Sequence, residues 1–599
     1  MRLSLAVIPM LLSGSLVPAD LAAAQHQGRF ASSRSRPPAD TTAQRVNALA
    51  DEYLKEWLEA FPELPTLFGI PGARHDRLSD RSAAGERAWQ RREDRWLAAL
   101  RTIDGGALLG RPEWVTYGLL REQLEASVGL RACRDRVWTV SPFTGWQAYY
   151  ATLAQVQPVG APDLREQAVA RWRELPKLIR TEIGNLREGV EAGYSEPKVN
   201  VERVIAGLDK LLATADTASP FLRPAARDTS VAFRTAFQRL LRTEIVPALR
   251  LYRDYLATDY LPAAREAIAI TANPQGAACY RAAIRRFSTL DLSGEEIHQL
   301  GLREVAAAES TMTAVAERTY HTTDTPALLR RLRSDTAYRI ASRDSVIPLI
   351  DSILARAWVA VPRWFGLLPR AKVDVQPVPE FQEPAVPLGR YLPPALDGSR
   401  PGIYVVNLYL ATRPGARLNL DNLTFHEAVP GHHFQLAIAR ERQGVHPLTR
   451  YLSNSAFVEG WGIYAETMAR EMGLYPSDAT WLRELEDHVY VASTLVMETG
   501  MHVLGWSRQQ AIDYELAHTT RSPEQAALDV DRRIGWPGQG LSYVLGYLEI
   551  LRLRREAEGA LGTRFDIKAF HDRMLEDGSI TLPMLRQKIE AWVRRQGQL

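Results

Sequence analysis

The stretch His426-Glu427-Ala428-Val429-Pro430-Gly431-His432-His433 constrains this chain more than any other, because it gathers three of the 12 histidines and an acid around a helix-breaking pair. Imidazoles are the commonest ligands of transition metals. Two of them share an ion on one straight helix when they stand four residues apart, as in H-E-x-x-H. Here the second imidazole comes six or seven residues after the first. A straight helix advances about 100° and 1.5 Å per residue, so His426 and His433 would share a face but lie roughly 10 Å apart. His426 and His432 would diverge by about 120°. Neither pair can chelate from an unbroken helix. Pro430 lacks an N–H and its ring clashes with the carbonyl of His426, while Gly431 tolerates the backbone angles that a bulge requires. The expectation is therefore a bulge or kink of two or three residues that brings His432 or His433 to the second ligand position. The spacing does not choose between them.

Glu427 adjoins the first imidazole, where a carboxylate can act as general base toward water at a metal. A purely structural ion has no use for it. Zinc is the expected ion, and a catalytic zinc usually keeps three protein ligands. The run Phe457-Val458-Glu459-Gly460-Trp461-Gly462-Ile463-Tyr464-Ala465-Glu466 supplies the third. Glu459 follows His433 by 26 residues, room for one helix to end, a loop near Gly444–Pro447 to turn and a second helix to return. Glu459 is read as a ligand. Glu466, about two turns further on, is read as the group that orients an imidazole from behind.

Seventy-three basic against 70 acidic residues leave a net charge of +3 on 599 residues, with no basic tract, so nucleic acid is not an expected partner. The N-terminus reads as an address. Arg2, the apolar run Leu3–Leu16 and Ala22-Ala23-Ala24 describe a cleavable secretory signal over residues 1–24, cut near Ala24. Residues 25–42, polar and rich in Pro and Ser, read as a disordered tether, which leaves 43–599 as one helical domain in a periplasmic or secreted protein. No later run of 18 apolar residues predicts a membrane span. The only two cysteines, Cys133 and Cys279, could form a disulfide in an oxidising compartment. Neither lies near the signal, so a lipid-modified N-terminus is not expected.

Apolar residues recur at three- and four-residue spacing over Val46–Ala60, Ala83–Ile103, Leu164–Ala192, Val231–Val246, Gly294–Glu317 and Ser345–Val361, predicting amphipathic helices. Pro176 is expected to kink or split the third. No repeat of fixed period suggests a solenoid. From Lys372 to Thr412 the pattern changes to alternation and prolines, predicting short strands at Val373–Val375, Tyr391–Pro394 and Gly402–Tyr409. Placed just before the histidines, a strand at Tyr404–Tyr409 could pair with an extended peptide along its edge, with Asn407 as a polar contact. A hairpin that merely covers one end of the helices is the alternative.

The pattern H-E-x-x-P-G-H-H followed by F-x-E-G-W-x-x-Y-x-E resembles the DUF885 family, bacterial proteins grouped with gluzincin-type zinc metallopeptidases. Gly276–Tyr280, Glu295–Gly301, Gly500-Met501-His502, Gly505-Trp506-Ser507, Pro537-Gly538-Gln539, Tyr543, Gly546, Leu551-Arg552 and Gly578–Pro583 extend the likeness over most of the chain. The resemblance implies a mainly α, large, two-lobed metallopeptidase fold like that of helical oligopeptidases and carboxypeptidases, with a small β element before the metal-binding helix. It implies zinc in a deep cleft, hydrolysis of short peptides, and a donor to the tetrahedral oxyanion, for which His502 and Tyr543 are the candidates. A metal-dependent amidase or esterase on a non-peptide substrate, and a non-catalytic periplasmic zinc-binding protein, are the competing readings. The residues give no oligomeric state. Cleavage within a peptide or from its end stays open, Arg552 being one candidate to hold a terminus.

Overall fold

The computed structural model describes residues 41–214, 216–378, 380, 383, 387–395 and 400–597. The expected signal lies outside the described residues, as does the tether up to residue 40. The tether's expected end is two residues too late, since the helix Thr41–Ala60 already includes Thr41 and Thr42.

The protein is predominantly α-helical, with one small open sheet ahead of a C-terminal helical region. Local chemistry sets many boundaries. Ser293 and Glu296 close a reciprocal capping box at the start of Gly294–Tyr320. Pro176 splits the expected helix into Pro162–Arg173 and Leu175–Glu191; it sits in the first turn of the second, where its missing N–H costs nothing. The helix Val231–Leu240 runs on through a widened turn, Leu241–Ile245, into Val246–Tyr255. A π-type turn there accommodates Pro247, which would otherwise end the helix. One core gathers Trp146, Trp172, Phe221, Phe237 and Tyr252 from the N-terminal half. A larger one joins Tyr53 and Trp57 of the first helix to Phe425, Phe434, Trp461, Ile550 and Leu585.

The elements that matter for the site are β1 (Val373–Pro377), β2 (Gly389–Leu392), β3 (Gly402–Val406), α1 (Ala416–Glu427), α2 (His432–Glu441), α3 (Ser455–Glu471), α4 (Asp478–His502) and α5 (Ser542–Leu561). The strands are arranged β1-β3-β2, with β3 parallel to β1 and antiparallel to β2. Two expectations need correction. β3 is the central strand and pairs on both sides, so it has no edge to offer a peptide. Asn407 ends it as a helix cap: its side chain accepts from Leu410 N–H and donates to the Glu383 carbonyl. The margins of the sheet are β1 and β2.

The stretch Arg343–Arg363 is long and apolar enough to cross a bilayer by length and composition. Here Ile350, Ile353 and Ala357 pack into the larger core and Arg356 pairs with Asp421 at 2.6 Å. Cys133 and Cys279 form a disulfide between the end of helix Pro112–Leu130 and helix Gly276–Ser288.

Candidate metal centre

The chain breaks between α1 and α2 instead of bulging. α1 ends at Glu427, Val429-Pro430 is a cis peptide, and a new helix starts at His432. Gly431 is required here because a Cβ would stand 2.0 Å from the His426 carbonyl oxygen. Trp461 of α3 donates its indole N–H to the Pro430 carbonyl at 2.9 Å and fastens the turn to the returning helix.

This break brings His432 back to His426. Their ring centroids lie 4.6 Å apart at an interplanar angle of 80°. Glu459 completes a group of three: its Oε2 lies 3.9 Å from His426 Nε2 and 3.6 Å from His432 Nε2. One donor atom from each falls within 4.8 Å of the others. In a tetrahedral zinc site with bonds of about 2.0–2.1 Å, donors stand roughly 3.3 Å apart, so the two Glu459 distances would have to shorten by about 0.3–0.6 Å. Two imidazoles and a carboxylate are a donor set that zinc accepts. Solvent reaches the group, with 13% of the His426 side chain, 11% of His432 and 21% of Glu459 exposed.

Neighbouring residues hold these donors in place. Glu466 Oε1 lies 2.6 Å from His426 Nδ1, and its Oε2 accepts from Asn422 at 2.8 Å. Asn422 in turn accepts from the Tyr475 hydroxyl at 2.6 Å. Gly462 leaves room for the His426 ring, since a Cβ there would stand 2.6 Å from its Cε1. Gln435 Nε2 meets both His432 Nδ1 and the Val458 carbonyl at 2.9 Å. None of Asn422, Gln435 and Gly462 was anticipated. Asn422 precedes His426 by one helical turn, the one sequence signal that could have pointed to it.

The electrostatics favour positive charge at this point. Burial works against a charged His426, but the Glu466 hydrogen bond and charge, with Glu427 and Glu459, overcome it and hold the imidazole at about 9. Burial also opposes a charged Glu459, yet His432 and His426 keep its carboxyl below the usual range. Glu427 moves the other way: burial raises it, and the two imidazoles only partly offset that. Its carboxylate has no hydrogen-bond partner among the described residues. Three carboxylates around two imidazoles make a site that a dication would suit.

The structure excludes two expected residues from this group. His433 points away from it: Nδ1 meets the Tyr391 hydroxyl at 2.8 Å and Nε2 the Ala371 carbonyl at 3.1 Å. Successive helix residues diverge by about 100°, so when His432 faces the acids His433 faces the sheet. Burial lowers it to about 4, so it stays neutral there. His502 is likewise committed. Its Nδ1 accepts from Ile270 N–H and its Nε2 lies 3.1 Å from the Arg533 carbonyl, with burial holding it at about 4. Both of its ring nitrogens are engaged there, and it is not part of the His426 group. At Tyr543, burial and then the charge of Glu459 push the phenol up to about 12. Two sizeable cavities, of about 700 and 1050 Å³, are lined by none of these residues, so the expected deep cleft around the cluster is not either of them. A second group of potential ligands, Cys133, Asp135 and Cys279, has its sulfurs consumed by the disulfide.

The fold recurs in solved structures. A protein of Colwellia psychrerythraea titled a "putative lipoprotein" superposes with a TM-score of 0.84 at 24% identity, over 93% of this chain and all of that one. A "putative lipoprotein of unknown function" from Shewanella oneidensis superposes with a TM-score of 0.74 at 20% identity, over 92% of this chain and 99% of that one. No curated protein matches significantly. The family described as "Bacterial protein of unknown function (DUF885)" matches residues 62–589, and the chain belongs to it.

Proposed function

We propose that this protein is an exported zinc-dependent hydrolase of short peptides. The observation that carries the reading is the convergence of His426, His432 and Glu459 within 4.8 Å of one another, with the charges of both imidazoles acting on the carboxyl of Glu427, the residue next to His426. His426, His432 and Glu459 would hold the ion. Bound there, zinc supplies Lewis acidity toward a scissile carbonyl and acidifies water.

The chain's own residues account for the rest. Glu427 accepts the proton of the attacking water and returns it to the leaving amine. Glu466 accepts a hydrogen bond from His426 Nδ1–H, which fixes the tautomer whose Nε2 presents its lone pair to the group. Tyr543 keeps its proton at neutral pH and can donate it in a hydrogen bond to the oxyanion. Export is supported by the signal-like N-terminus, by the disulfide and by the titles of the two structural relatives.

Glu427→Gln tests the reading. The variant should keep about one zinc per chain by elemental analysis while hydrolysis of a mixed peptide library, read by mass spectrometry, falls at least ~1000-fold. Undiminished hydrolysis would remove Glu427 from its role. Turnover of esters but of no peptide would move the substrate class.

A further inference from the structure

The two imidazoles of the group are backed by different chemistry. Behind His426 stands a carboxylate, which accepts: Glu466 Oε1 lies 2.6 Å from Nδ1. Behind His432 stands an amide nitrogen, which only donates: Gln435 Nε2, from one turn further along α2, lies 2.9 Å from Nδ1. The same nitrogen donates to the Val458 carbonyl of α3 at 2.9 Å, and this second bond holds the amide in its orientation. The amide oxygen is left over. Gln435 Oε1 is buried and has no hydrogen-bond partner among the described residues.

These contacts fix where the ring hydrogens sit. A neutral imidazole carries one N–H and one lone pair. Facing a donor, His432 Nδ1 has to use its lone pair, so the hydrogen is on Nε2, the nitrogen 3.6 Å from Glu459 Oε2. His426 is the reverse, with its hydrogen held on Nδ1 by Glu466 and Nε2 left for an ion. A ligating imidazole binds through a lone pair and gives its other N–H to an acceptor. His426 is set to ligate, and His432 is not.

We propose that Gln435 is a positioning residue whose amide turns over when a dication enters, so that Oε1 replaces Nε2 behind His432. Oε1 then accepts from Nδ1–H. The ring gives up the hydrogen on Nε2 to solvent and takes one from solvent on Nδ1, with no change in its charge, and the Nε2 lone pair is released. Turning over gives the idle Oε1 a partner. It costs the Val458 carbonyl its side-chain donor, but that carbonyl lies inside α3 and keeps its helical bond. With no ion to repay the loss, the present orientation is the resting one. This inference rests on the reading of His426, His432 and Glu459 as ligands.

Nitrogen NMR of metal-free, full-length protein carrying isotope-labelled histidine, in alkaline buffer, provides the test. Loss of signals in His432→Ala identifies the ring. The parent should carry the His432 hydrogen on Nε2, and on Nδ1 once zinc is added. Q435E, whose carboxylate accepts without turning over, should place it on Nδ1 before any metal is present. It should also bind zinc about 10-fold more tightly than the parent, by competition with a chelating indicator. Q435M, with neither donor nor acceptor, should populate both ring forms and bind zinc no more tightly than the parent. A role in packing alone would leave the ring hydrogen of Q435E where the parent has it. That result, a metal-free parent with the hydrogen already on Nδ1, or a Q435E protein that gains no affinity would overturn the proposal, and zinc bound by the parent would still support the ligand assignment. A parent that binds no zinc, whatever its ring hydrogens, would remove that assignment and the hydrolase reading with it.

Discussion

His426 Nδ1 lies 2.6 Å from Glu466 Oε1, and the two residues come from α1 and α3, between which the chain runs through the turn at Pro430, α2 and the loop beyond it. A carboxylate on the far nitrogen fixes the ring's orientation and tautomer and makes the near nitrogen a better donor. Glu466→Ala should weaken zinc binding about 10- to 100-fold, read by competition with a chelating indicator. Glu466→Gln, which keeps an acceptor at the same place, should lose less. Equal affinity in all three proteins would show that the pair does not serve the ion.

The adjacent histidines should separate cleanly. His432→Ala should abolish stoichiometric zinc. His433→Ala should keep zinc but cost about 1–3 kcal/mol of stability, because it strands the buried Tyr391 hydroxyl and the Ala371 carbonyl. Elemental analysis and thermal melts of the two variants check this. Zinc loss from the His433 variant at undiminished stability would reverse the assignment.

Why the sequence chose a pair and not a partner is visible in this same turn. The eight-residue stretch showed that an unbroken helix could not chelate, and the break at Pro430 followed from that. It could not show that α2 restarts at His432, because the phase of a new helix depends on the turn before it. Glu459 and Glu466 were legible for a different reason: their seven-residue spacing puts both toward one neighbour, two turns apart. His502 was a candidate through the family resemblance, not through any local pattern. Its actual bonds, to Ile270 and Arg533, span 232 and 31 residues, and no local pattern encodes contacts of that kind. The strand signals match Val373, Tyr391 and Gly402, but strand order is long-range information, so the sequence left open whether Tyr404–Tyr409 offered an edge or formed a covering hairpin.

Glu498 should impose a pH dependence on stability. Burial raises its carboxyl to about 7, against the Gly538 N–H, Arg533, Arg532 and the Tyr280 hydroxyl, all of which favour its charge. Its Oε1 accepts from Gly538 and Tyr280, and Oε2 is buried without a partner. A folded value above the unfolded one means that the native state holds the proton longer. The contribution is therefore intact below about pH 4.5 and declines as pH rises toward 7, by up to about 3 kcal/mol. Glu498→Gln retains an acceptor and cannot ionise. Its stability relative to the parent should rise between pH 4.5 and 7 and level off above. A constant difference across denaturant melts at pH 5, 6, 7 and 8 would refute this.

The disulfide makes a separate claim about metal stoichiometry. Cys133 and Cys279 are 146 residues apart, and in the chain-entropy model a link of that span stabilises by about 5 kcal/mol. Replacing both with Ser should lower the thermal midpoint by several degrees, and it should leave zinc at one per chain, because the His426 group is untouched. Reduction of the parent is different. It would release two thiols beside Asp135, which with those sulfurs forms the second potential ligand group, and thiolates bind zinc readily. Zinc should then rise from one per chain in the oxidised protein toward two in the reduced protein, with no rise in the double-Ser variant. A reduced parent that still binds one zinc would show that Asp135 and the two thiols do not make a site. Two zincs in the oxidised protein would place the second ion elsewhere.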